Sequence, residues 1–122
     1  MNQLILVFIG GGLGSLARFG VSKALVKWSS VFPFGTLTAN ILACLIMGFF
    51  AGWTLSKPAD TIHSLRAFIA VGFCGGFSTF STFSNETIQL LQHNRFVDAA
   101  LNIVLSLVLC FGATLAGMWL GK

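Results

Sequence analysis

The stretch Gly72-Phe73-Cys74-Gly75-Gly76-Phe77-Ser78-Thr79-Phe80-Ser81-Thr82-Phe83-Ser84-Asn85-Glu86 carries the residues of this chain best suited to chemistry. Two adjacent glycines precede a repeated Phe-Ser-Thr pattern. On a continuous helix Phe77, Phe80 and Phe83, spaced i, i+3 and i+6, form one slowly drifting stripe. Ser78, Ser81 and Ser84 form a second stripe, and Thr79 with Thr82 a third. An aromatic ring has a negative face and a positive edge. Edge-on phenylalanines therefore attract an anion without a fixed counter-charge that would trap it, and neighbouring hydroxyls can donate hydrogen bonds to it. The same spacing also suits a core aromatic stripe whose serines bond back to i−4 carbonyls. The repeat alone leaves both readings open.

Gly75 and Gly76 favour the first. Paired glycines weaken a helix and permit backbone conformations that other residues avoid. A helix broken at membrane depth leaves polar backbone that lipid cannot satisfy, so such breaks occur where they line a cavity or bind an ion. Carbonyls freed there suit a hard cation such as sodium, and the half-helix that follows presents N–H groups and a positive dipole end. Asn40 lies inside another uncharged run, where an unpaired amide is costly, so it is a functional candidate; an interhelical hydrogen bond is its structural alternative. Ser106 and Thr114 offer further donors, although membrane hydroxyls often satisfy their own backbone. Together these groups suit a small, hard, strongly hydrated anion. Nothing resembles an active site: Cys44, Cys74 and Cys110 have neither CxxC nor His-paired spacing, and His63 and His93 have no partner at ligand spacing.

The elements that must position these residues follow from where the charges lie. Of 122 residues 56% are hydrophobic and only 8% charged, against about 25% charged in ordinary soluble domains. Mean hydropathy is +0.90. That composition excludes a soluble enzyme, a disordered chain and most nucleic-acid binders; the net charge of +4 is scattered rather than clustered. Uncharged runs cover residues 1–17, 28–56, 67–85 and 99–121. A spanning helix needs about 20 apolar residues, so an all-α membrane protein is predicted, with four spans near 3–23, 34–55, 66–90 and 98–120, the third broken near 75–79. The first block lacks a basic leader and is followed, not preceded, by Arg18 and Lys23, so it reads as a retained span. Trp28, Trp53 and Trp119 fall near predicted helix ends, where indoles favour the headgroup layer.

With four spans, Lys57, Arg66 and Lys122 share one side of the membrane, and Lys23, Lys27 and Arg95 the other, with Arg18 slightly deeper. Basic residues normally fix orientation by their excess on the cytoplasmic side. Here the excess is nearly absent. The expectation is insertion in both orientations and an antiparallel homodimer. Gly10 with Gly14, Gly48 with Gly52, Gly72 with Gly76, and Gly117 with Gly121 give every span a small-residue surface for close packing.

The run from Gly72 to Ser84, with Gly14-Ser15-Leu16-Ala17-Arg18 and Gly35-Thr36-Leu37-Thr38-Ala39-Asn40 upstream, resembles the Fluc (CrcB) fluoride channels of bacteria, over essentially the whole chain. The resemblance implies a multi-pass protein of the bacterial inner membrane, an antiparallel dual-topology dimer with two pores, and passive, selective fluoride export. It implies that the ring edges of Phe80 and Phe83 face fluoride, that Asn40 donates its amide, and that Ser81, Ser84 and Thr114 belong to a track of hydroxyls. It assigns the backbone carbonyls of Gly75 and Ser78 to a structural sodium ion that is not transported. Arg18 matches an arginine of the first span, either raising the local potential for anions or anchoring the helix end. Phe77 is an additional phenylalanine relative to many members. The implied partners are fluoride, a second copy and lipid, with no nucleic acid. A small dual-topology multidrug transporter is the main alternative, but its first span would need an acid; the acid inside a predicted span is Glu86, in the third, with Asp98 only at the first residue of the fourth. A non-transporting assembly subunit would need only the glycine pairs.

Overall fold

The computed structural model describes residues 2–122; Met1, part of the uncharged N-terminal block, lies outside them. Helix α1 spans Gln3–Ala24, α2 Val26–Ser29, α3 Phe34–Thr54, α4 Ala59–Leu65, α5 Gly75–Phe77, α6 Phe80–Gln92 and α7 Phe96–Gly121. Between α4 and α5, Arg66–Cys74 winds as a π-helix, a rare geometry that often accompanies functional sites. There are no strands among the described residues. Among the described residues, four helical runs are long and apolar enough to cross a membrane: α1, α3, the run Ala59–Gln92, and α7. The third run begins at Ala59, ahead of the Arg66 boundary expected from charge. Pro58 precedes it and Asp60 lies in its first turn, both favourable at a helix start.

Local chemistry sets the other ends. The Asn2 side chain accepts from the Leu4 amide at 2.8 Å and caps α1, while Lys23 lies in its last turn, where a cation complements the dipole. Helix α6 stops in a Schellman motif. Asn94 takes φ 59°, tolerated by asparagine, and Arg95 N–H reaches the Leu90 carbonyl at 2.8 Å. Arg95 then pairs with Asp98 at 2.7 Å, across the start of α7.

The four glycine pairs settle how the spans pack. A Cβ on Gly10 or Gly14 would overlap the carbonyl oxygen of Phe68 or Phe73, and one on Gly76 would overlap that of Gly11. Likewise Gly48 and Gly52 abut the Thr114 and Met118 carbonyls, and Gly117 and Gly121 those of Leu45 and Phe49. Helix α1 thus lies backbone-to-backbone on the π-helix and α5, and α3 on α7. All four pairs are used inside one chain, so they do not supply the free association surfaces that the sequence suggested. Between these two pairs of spans sits a small core of Ala39, Ala43 and Phe77, flanked by Ala17, Val21, Ile46 and Phe73.

Candidate functional site

Gly75–Phe77 are helical, with Gly75 at φ −63° and ψ −37°. The residues that leave the helix are Ser78 (φ −86°, ψ 155°) and Thr79 (φ −150°, ψ 118°), and Phe80 starts a new one. The paired glycines are therefore not the extended residues. Gly76 admits α1, as described, and no glycine among the described residues has positive φ.

Polar backbone groups in this stretch need partners, and side chains from two other helices supply three of them. Asn40 on α3 clasps Thr79: its Oδ1 accepts the Thr79 N–H at 2.8 Å, and its Nδ2 donates to the Thr79 carbonyl at 3.3 Å. The Nδ2 group has two hydrogens, so one stays free. Arg18 on α1 donates from Nε to the Gly76 carbonyl at 3.0 Å, placing a cation at the C-terminal end of the helix that finishes with Phe77. Thr79 caps α6, its Oγ1 accepting from the Thr82 N–H at 3.3 Å and also meeting the Ser81 and Thr82 hydroxyls.

These substitutions leave two carbonyls without their helical donors. In a continuous helix Gly75 would receive the Thr79 amide and Ser78 the Thr82 amide. The first goes to Asn40 and the second to Thr79 Oγ1. Both residues also line one cavity of about 170 Å³, together with Cys44, Cys74 and Thr114. Neutral oxygens freed of amide donors fit a hard cation such as sodium, so the residues present fit the ion expected there.

The phenylalanine stripe does not survive intact. Phe77 lies before the extended pair and is buried in the core at 5% exposure. Phe80 and Phe83 lie after it and stay together, ring centroids 5.6 Å apart at 49°. Phe80 is 79% exposed, Phe83 half-buried. A stripe across all three assumed one continuous helix. Asn40, Phe80 and Phe83 meet around a second cavity of about 230 Å³, which Ser78, Thr79, Ser106 and Cys110 also line. Ser81 and Ser84 lie outside its lining and are exposed on α6. The Thr114 hydroxyl donates to the Cys110 carbonyl at 3.0 Å, so its proton is already engaged.

Two residues matter more here than their sequence context suggested. Thr79 is the hub of the extended segment, and its cap position, three residues before Thr82, was the available signal. Ser106 is buried with its hydroxyl unpartnered, at the wall of the same cavity. Glu86, at the middle of α6, faces a separate recess of about 310 Å³ shared with His93 and Arg95.

A model of the CrcB-like protein, camphor resistance (CrcB) family matches residues 5–118. The chain belongs to the CrcB family. Among its relatives is a protein of Coxiella burnetii (strain Dugway 5J108-111) named fluoride-specific ion channel FluC, 40% identical over 98% of this chain and 94% of its own length. A protein of the same name from Phocaeicola vulgatus is 37% identical over the full length of both. One from Flavobacterium psychrophilum is 41% identical over all of this chain and 98% of the relative. The alignments to this CrcB chain therefore span the Asn40 clasp, the Phe80–Phe83 pair and all four apolar runs.

Proposed function

We propose that this chain is a fluoride-selective channel that passively lowers cytoplasmic fluoride across a bacterial inner membrane. The observation that carries this reading is the cavity where Asn40, Phe80 and Phe83 meet, in a chain whose full-length relatives bear the name fluoride-specific ion channel. Fluoride sheds part of its tightly held water against the positive ring edges of Phe80 and Phe83. The free hydrogen on Asn40 Nδ2 serves as a donor in the same space. Ser81 and Ser84 continue the hydroxyl track along α6. Thr114 joins it as an acceptor for water or through a turned hydroxyl, and the unpartnered Ser106 hydroxyl extends it on α7.

The extended pair Ser78–Thr79 acts as the break of the third span, with the Thr79 backbone held by Asn40 and the preceding Gly76 carbonyl by Arg18. In a single chain the Phe80 ring stands almost fully open. A second copy in the opposite orientation covers it, as the balanced basic residues permit, to make an antiparallel homodimer. The carbonyls of Gly75 and Ser78 hold a sodium ion that neutralises their exposed dipoles and is not itself transported.

Three measurements test this. Proteoliposomes loaded with fluoride and chloride should release fluoride far faster once an ionophore balances charge; equal release, or none, would refute the channel. A cysteine introduced at Lys57 should label from both faces of intact vesicles, whereas one-sided labelling would rule out dual topology. Replacing sodium with N-methylglucamine should lower the thermal stability of the purified protein, and stability independent of sodium would remove the ion from the scheme.

A further inference from the structure

Among the described residues, Asn102 on α7 is the largest side chain that is fully enclosed, at 2% exposure. A primary amide at that depth is costly unless partnered, and its partner lies on another helix. Asn102 Nδ2 donates to Thr87 Oγ1 at 2.9 Å. Thr87 Oγ1 in turn donates to the carbonyl of Phe83 at 2.8 Å. One hydroxyl thus accepts from α7 and donates to the residue that carries a cavity-lining ring. Bonds in such a chain polarise and strengthen one another.

Helix α6 depends on this link. Thr87 and Leu90 are its buried residues, and its main packing partner is α7. Thr87 is four residues beyond Phe83, one turn along the same helix face. Pinning Thr87 to α7 therefore fixes the rotation of the face that presents Phe83. Asn102 is not part of the cavity lining, whereas Ser106, one turn further along α7, is.

We infer that Asn102 is a positioning residue for the ion pathway, setting the orientation of the Phe83 ring through Thr87. The inference rests on the channel reading. It is tested with Asn102→Leu, Thr87→Val, Thr87→Ser and the double variant Asn102→Leu/Thr87→Val, each in proteoliposomes and with a para-fluorine label on Phe83. Asn102→Leu and Thr87→Val should each slow fluoride efflux about tenfold and shift the label's 19F resonance, while Thr87→Ser, which keeps the hydroxyl, should match the wild type. The double variant should lose no more than the worse single one, since both break one chain. Wild-type flux and an unmoved resonance in Thr87→Val would overturn the inference, as would fully multiplicative losses in the double variant. Should Asn102→Leu fail to fold, the comparison of Thr87→Val with Thr87→Ser decides alone. Absence of fluoride efflux in the wild type would sink the channel reading instead, and the resonance would still report on the link.

Discussion

Phe83→Ile is expected to slow fluoride efflux from proteoliposomes about tenfold or more, which corresponds to raising the barrier by about 1.4 kcal/mol. Isoleucine keeps the apolar character of the site but has no ring and so no positive edge. The partner ring of Phe80 lies 5.6 Å away, so Phe80→Ile should act in the same direction, with helicity and elution volume unchanged in both. Phe77→Ile is the control. That ring is buried among Ala39 and Ala43, and its replacement should lower stability by about 1–3 kcal/mol while sparing the rate of the folded protein. Wild-type flux in Phe83→Ile would place the pathway elsewhere, and a rate loss confined to Phe77→Ile would restore the uninterrupted stripe.

Removing the Asn40 clasp should have the second large effect. Asn40→Leu takes away both bonds to Thr79 at once. The Thr79 N–H then lacks a partner inside the protein, at a cost of about 1–3 kcal/mol, and the Ser78–Thr79 geometry loses its tether. The expected result is a lower melting temperature together with loss of fluoride efflux. Asn40→Asp separates the two roles. Its carboxylate still accepts the Thr79 N–H, but it has no hydrogen to donate and brings negative charge into the cavity. It should fold better than Asn40→Leu and still fail to conduct. Efflux at the wild-type rate in Asn40→Leu would show that the clasp matters to neither.

Much of this architecture is legible in composition and spacing. A chain with so few charges cannot cover a soluble surface, and the places where those charges interrupt it mark out four apolar runs of spanning length. The Phe-Ser-Thr repeat and the amide of Asn40 inside an uncharged run single out the segment and the side chain that meet at the cavity. These are local properties. Hydropathy, helix period and the cost of an unpaired amide act on each residue regardless of what lies opposite it.

What lies opposite was decided by tertiary structure. The glycine pairs announce close approach, but only the packing shows that each faces a carbonyl of the same chain, not a second copy. Gly75-Gly76 announces a weak point, yet the extended residues are Ser78 and Thr79, because Asn40 and Arg18, distant in sequence, take over the backbone partners that a helix would have supplied. The Phe77 ring belongs to the repeat by spacing and to the core by position, since the extended pair turns it away from Phe80 and Phe83. Asn102, like Asn40, is an amide inside an uncharged run, but its link through Thr87 to Phe83 depends on which helices meet and not on spacing along the chain. Residue type and spacing settle what a segment can do; which of its hydrogen bonds are made at home and which across the bundle depends on helices meeting in three dimensions.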